Sequence, residues 1–309
     1  MEMKYVPFGR TGMSVSAASL GCGGYSRIGS RKYGNAHSVE LVRYAYDRGI
    51  NYFDSAIQYE TMPLVSAGLA GLPRDSYILA SKCQIFQEPF NDPKKLEFYV
   101  DQCLTDLRTD YLDIFYMHGI APEFYKTVRD DFYGEYEKMR DKGKIRFIGI
   151  TEAFNRDPHH KMLETALEDD LFDVIMLGYN ILNPSAREKV LPMAKARNTG
   201  VACMYPIRRP FYHRETLLEM LAEQRAKGNI AEDVVDLDWL LEDGCVRSLA
   251  EAGCRYSAAG QGIHAVLTGP GSKEHLDENI AATLGPPLPD EIAEKLYQIF
   301  RNSDAVSVL

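Results

Sequence analysis

"SVELVRYAYDRGINYFDSAIQYE", residues 38–60, decides how this chain folds. Its first half has helical period and stops at Gly49. "INYFD" (50–54) is then an apolar run too short for a helix and too continuous for a half-exposed strand, so it reads as a strand buried on both faces. A helix that feeds a doubly buried strand is half of a parallel βα repeat. The strand also ends on a carboxylate, Asp54, with a phenol, Tyr59, in the loop just beyond it.

The same unit recurs in both directions. Strands are predicted at 17–22, 50–54, 77–82, 111–118, 145–151, 172–180, 200–206 and 263–269. Helices are predicted at 38–49, near 62–70, and at 92–109, 123–142, 159–169, 184–198 and 273–284. Pro93 falls in a first helical turn, where proline is tolerated, and Asn183 caps the helix that Gly200 ends. Eight βα units in 309 residues favour a closed (β/α)8 TIM barrel over an open doubly wound sheet. Residues 6–17, with a turn at Thr11-Gly12, form an N-terminal β-hairpin. The span 207–262 exceeds one crossover and is read as extra helices after strand seven, at 214–228 and 231–244, before a helix at 247–259. No linker, repeat or low-complexity tract divides the chain, so residues 1–309 are expected to form one domain.

Composition narrows the function. A net charge of -9 disfavours nucleic acid and anionic membrane as partners. No apolar run approaches a membrane span, and "MEMKYVPFGRTG" lacks a signal-peptide core. The six cysteines form no CxxC pair and mostly sit in apolar runs, so reduced, buried thiols in a cytoplasmic protein are expected. "PHHK" (158–161) lacks the helical spacing of metal ligands, and no metal is expected. There is neither a GxGxxG fingerprint nor a P-loop.

In such a barrel, function collects at the carboxyl ends of the strands. Three consecutive strands end there in Asp54 (with Tyr59 following), Lys82 and His118. Taken singly, each residue has an ordinary explanation: a turn former, a solvated lysine, a structural histidine. Together they suit carbonyl reduction. The phenol supplies a proton to the nascent alkoxide, the ammonium stabilises phenolate, the carboxylate anchors the ammonium, and the imidazole orients the carbonyl oxygen.

The sequence resembles the aldo-keto reductase family along nearly its whole length. The resemblance is carried by "GRTGMSVSAASLGCG", "GINYFDSAIQY", "ILASK", "CLTDLRTDYLDIFYMH", "GKIRFIGIT" and "VLTGPGSKEHLDEN". It implies a (β/α)8 barrel that moves hydride between a nicotinamide dinucleotide and a carbonyl or alcohol. The family's catalytic Asp, Tyr, Lys and His fall on Asp54, Tyr59, Lys82 and His118. The Ser-Asn pair that holds the nicotinamide amide falls on Thr151 and Glu152, and a Gln of strand six falls on Met176, so both places depart from the family pattern. Stacking on the nicotinamide falls to Met204 or Tyr205, and Arg208 or Arg209 can meet the pyrophosphate. Gly269, Ser272, Lys273, His275 and Asn279 correspond to the adenosine-phosphate loop and helix start. Tyr25, Phe86, Phe124 and Tyr212 are candidates for the substrate pocket.

Three readings remain open at this point. The first is an NADP(H)-dependent reductase acting on a small-molecule carbonyl or alcohol. The second is an NAD(H)-linked sugar or alcohol dehydrogenase, and the third a non-catalytic cofactor-binding subunit on the same fold. Nothing in the sequence sets an oligomeric state.

Overall fold

The computed structural model describes residues 2–23, 28–29, 32, 34–242 and 244–306; Tyr25 lies outside them. Eight parallel strands close into a barrel: β3 (Ala18–Gly21), β4 (Tyr52–Asp54), β5 (Ile78–Cys83), β6 (Leu112–Ile120), β7 (Ile145–Glu152), β8 (Val174–Gly178), β9 (Gly200–Met204) and β10 (Ala265–Thr268), with β10 pairing back to β3. The hairpin β1 (Tyr5–Pro7) and β2 (Ser14–Ser16) precedes it, in the register Val6↔Val15. Phe8, Met13 and Val15 from this hairpin join the side chains that fill the barrel.

Alternation along the strands sorts the residues into two sets. Tyr52, Ile78, Ala80, Ile114, Tyr116, Val174, Met176, Ala202, Ala265 and Leu267 form the interior cluster. Their neighbours, such as Phe53, Leu79, Phe115, Ile175 and Val201, belong to the larger cluster under the helices. The interior is tight enough that a Cβ on Gly149 would sit 2.2 Å from the Tyr116 ring. Tyr52 and Tyr116 satisfy their buried hydroxyls on each other at 2.7 Å.

The outer elements are α1 (Gly34–Asp47), α2 (Met62–Leu69), α3 (Leu96–Leu107), α4 (Pro122–Thr127), α5 (Tyr133–Asp141), α6 (Lys161–Asp169), α7 (Val190–Ala196), α8 (Arg214–Ala226), α9 (Trp239–Glu242), α10 (Leu249–Ala258), α11 (Lys273–Leu284) and α12 (Asp290–Phe300).

Three details differ from the sequence expectation. The helix expected at 123–142 is broken by a π-turn, Val128–Phe132. The helix expected at 231–244 shrinks to α9, because Asp236 accepts the Asp238 N–H in a local turn and Asp238 is pulled into a two-point pair with Arg214. Helix α12 was not anticipated, although Pro289 before Asp290 and Glu291, with Leu296, Tyr297 and Phe300 buried, is an ordinary amphipathic start and stripe. All six cysteines are free, and Cys245 alone among them is partly exposed. No helix among the described residues is long and apolar enough to cross a membrane.

Candidate active site

The site residues are the next inward positions above the packed interior. Adding two to Tyr52, Ala80 and Tyr116 gives Asp54, Lys82 and His118. The same step from Gly149, Ala202 and Leu267 reaches Thr151, Met204 and Gly269. All six border one cleft of about 1100 Å³ at the carboxyl end of the barrel, together with Tyr59.

Lys82, 2% exposed, is held by Asp54 Oδ2 at 2.5 Å and by the Ser55 carbonyl at 2.8 Å. Its ammonium lies 5.0 Å from the centre of the Tyr59 ring. Tyr59 ends a short 3-10 turn, Ile57–Tyr59, and meets the His118 ring edge-on at 6.0 Å. Gly23 makes room for it: a Cβ there would fall 2.4 Å from Tyr59 Cδ2. Burial raises the Asp54 carboxyl pKa, while the Lys82 charge and hydrogen bond oppose the rise. Burial, then the Lys82 charge, push the His118 imidazole well below the ordinary histidine value, so it works as a neutral group. Asp54 Oδ1 and His118 Nδ1 are buried without a hydrogen-bond partner.

His118 owes its position to an irregularity. The β6–β7 register shifts between Met117 and Ile120, and Gly119 takes φ +67. Thr151 Oγ1 accepts the Gly119 N–H at 2.7 Å, which leaves the threonine proton to donate to a ligand.

The positions proposed for a dinucleotide divide into two groups. Thr151, Met204, Tyr205, Arg208 and Gly269 border the cleft. Tyr205 is a non-glycine residue at φ 63, with Phe154 stacked on it at 6.1 Å and the Arg208 guanidinium 4.0 Å over its ring. Ser272, Lys273 and His275 lie at the start of α11, which Gly269 leads into, and Asn279 lies in its second turn. Ser272 caps this helix by accepting the His275 N–H at 3.2 Å. Lys273 meets Glu40 of α1 at 3.5 Å, and Asp277 is drawn aside by Arg48 and the Tyr44 hydroxyl, both at 2.7 Å.

Glu152 borders the cleft, but its carboxylate is committed elsewhere. Oε1 accepts the Gly178 N–H and Oε2 meets His160 Nδ1, both at 2.8 Å. Alternation explains this. If Thr151 faces inward, Glu152 must face the helices. Met176 stays inward in the apolar interior.

Of the expected pocket aromatics, Phe86 lines the cleft with Phe124 stacked behind it at 5.2 Å, while Tyr212 is 69% exposed. Gln58 and Val306 also line the cleft and were not foreseen. The place of Gln58 beside Tyr59 was a usable signal, whereas nothing local foretells that Val306 returns to the site. No His/Cys/Asp/Glu group among the described residues can hold a metal ion.

The cleft, the free proton of Thr151 and the capped start of α11 are chemically suited to holding a dinucleotide.

The aldo/keto reductase family model matches residues 19–300. L-galactose dehydrogenase of Arabidopsis thaliana is 26% identical over 296 residues, covering 89% of this chain and 86% of that protein. An aldo-keto reductase from Bacillus halodurans, in its holo form, superposes with a TM-score of 0.72 at 21% identity, over 99% of this chain and 98% of that one. One from Klebsiella pneumoniae, in complex with NADPH, gives 0.71 at 20% identity over 100% of both chains.

Proposed function

The chain belongs to the aldo/keto reductase family, and on that premise we propose that it is an NADP(H)-dependent oxidoreductase in which Tyr59 exchanges a proton with a carbonyl or alcohol substrate. The observation that carries this reading is the buried Lys82 ammonium, fixed by Asp54 at 2.5 Å and set 5.0 Å from the Tyr59 ring. When bound, the nicotinamide supplies or accepts the hydride.

The chain's own residues handle the proton and the orientation. In reduction, Tyr59 gives its proton to the oxygen of the former carbonyl, and Lys82 stabilises the phenolate left behind. Asp54 pairs with the Lys82 ammonium and holds it in place. His118, neutral, donates one hydrogen bond that fixes the carbonyl oxygen next to Tyr59. In alcohol oxidation the same groups run in reverse. Thr151 offers its proton to the carboxamide, and the α11 start with Lys273 receives the 2′-phosphate.

A second reading, NAD(H)-linked alcohol oxidation, is favoured by one observation: Glu40 already occupies Lys273 and would repel a 2′-phosphate. Steady-state turnover of a carbonyl and alcohol panel with both cofactors tests the proposal. Turnover with NADP(H) preferred supports it, NAD(H) preference transfers support to the second reading, and inactivity throughout rejects both.

A further inference from the structure

Among the described residues, three that line the cleft carry buried polar atoms without partners: Asp54, His118 and Gln58. The first two belong to the proton machinery. Gln58 has no role there, yet both Nε2 and Oε1 of its amide are unpaired. It is the middle residue of the turn Ile57–Tyr59, so the backbone that fixes Tyr59 fixes Gln58 as well. A buried primary amide with neither end satisfied by the protein is unfavourable, so it calls for a partner from the cleft, and a ligand that pairs with both ends removes the penalty.

The chemistry of the missing partner follows from the amide. It offers N–H donors and a carbonyl acceptor side by side. An alkyl substrate would leave both unpaired, and a carboxylate would leave the acceptor unpaired. A hydroxyl gives one hydrogen bond and takes another. The wall nearby is also polar, with Gln84, Gln87 and Asn155 bordering the same cleft. We propose that Gln58 is a specificity-determining residue that binds a substrate hydroxyl close to the reacting carbon, so that hydroxylated aldehydes and ketones, and the corresponding polyols, are the preferred substrate class. This rests on the oxidoreductase function proposed above.

The test compares 2-hydroxypropanal with propanal, which differ by one hydroxyl, and corrects each for the fraction present as free aldehyde. The ratio of their kcat/KM values is measured in the wild type, Gln58→Met and Gln58→Glu, with circular dichroism and cofactor titration to verify folding. Comparing ratios between proteins cancels the intrinsic difference in carbonyl reactivity. The wild type should favour 2-hydroxypropanal, and Gln58→Met should lower the ratio by roughly 10–100-fold, the value of one or two buried hydrogen bonds. Gln58→Glu, which keeps the acceptor, should lie between them. A wild-type preference for propanal, or one ratio shared by all folded proteins, overturns the inference while the function stands. Should Gln58→Met not fold, the wild-type preference and Gln58→Glu still decide. No turnover of any carbonyl or alcohol with either cofactor overturns the function and this inference together.

Discussion

Lys82→Met removes a positive charge that the structure sets against the Tyr59 ring while nearly preserving side-chain volume. At 5.0 Å from the ring centre, and with an effective dielectric near 20, a unit charge and a phenolate attract by about 3 kcal/mol. That energy corresponds to roughly two pH units in the Tyr59 ionisation. Asp54 does not compensate. Burial raises its pKa against the pull of Lys82, so losing Lys82 raises it further and moves the carboxyl towards its neutral form. The assay is the pH dependence of kcat/KM for alcohol oxidation, the direction in which Tyr59 must accept a proton. In Lys82→Met the rising limb should move up by roughly two pH units, and the rate near neutrality should fall about a hundredfold. Asp54→Asn, which keeps the ammonium, should cost less. A limb at the same pH in wild type and folded Lys82→Met would refute the reasoning, because it would show that Lys82 does not tune the phenol.

Tyr59→Phe should lower turnover by roughly 10²–10⁴-fold while fluorescence titration shows cofactor affinity nearly unchanged. Lys273→Ala should weaken NADP(H) binding by only about two- to fivefold and leave NAD(H) unaffected, since this half-exposed ammonium already shares itself with Glu40; the same titration measures it. His118 has a depressed pKa in the folded protein, so the unfolded chain binds a proton that the native state does not. Stability is therefore full above about pH 6.5 and falls below it, by at most about 1.4 kcal/mol per pH unit for this group. Urea unfolding of wild type and His118→Gln, on either side of that pH, should show a shallower acid loss in the variant.

The barrel was legible because doubly buried parallel strands are continuous apolar runs, and "YILASK" or "DIFYMH" has no other comfortable home. The convergence of Asp54, Lys82 and His118 was legible for the same reason: each lies at or near the carboxyl end of its strand, in phase with an inward residue two positions earlier. That phase also foretells the fate of Glu152, since Thr151 and its neighbour cannot both face the cleft. Contacts made across the chain were not legible. The pairing of Lys273 with Glu40 joins residues 233 positions apart, and the Glu152–His160 pair needs the loop after β7 to fold back with His160 in the left-handed region. Residues 231–238 have helical spacing, but their aspartates find local backbone and Arg214 partners that a periodicity count does not weigh.

The most direct test of the central claim is a single turnover. The protein saturated with NADPH is mixed rapidly with a reactive hydroxylated aldehyde, and the loss of dihydronicotinamide absorbance is followed against the alcohol formed. The account predicts one equivalent of alcohol for each equivalent of bound NADPH consumed. NADPH that binds in the cleft and stays unoxidised, with no alcohol formed, would contradict it and mark the chain as a cofactor-binding protein that performs no hydride transfer.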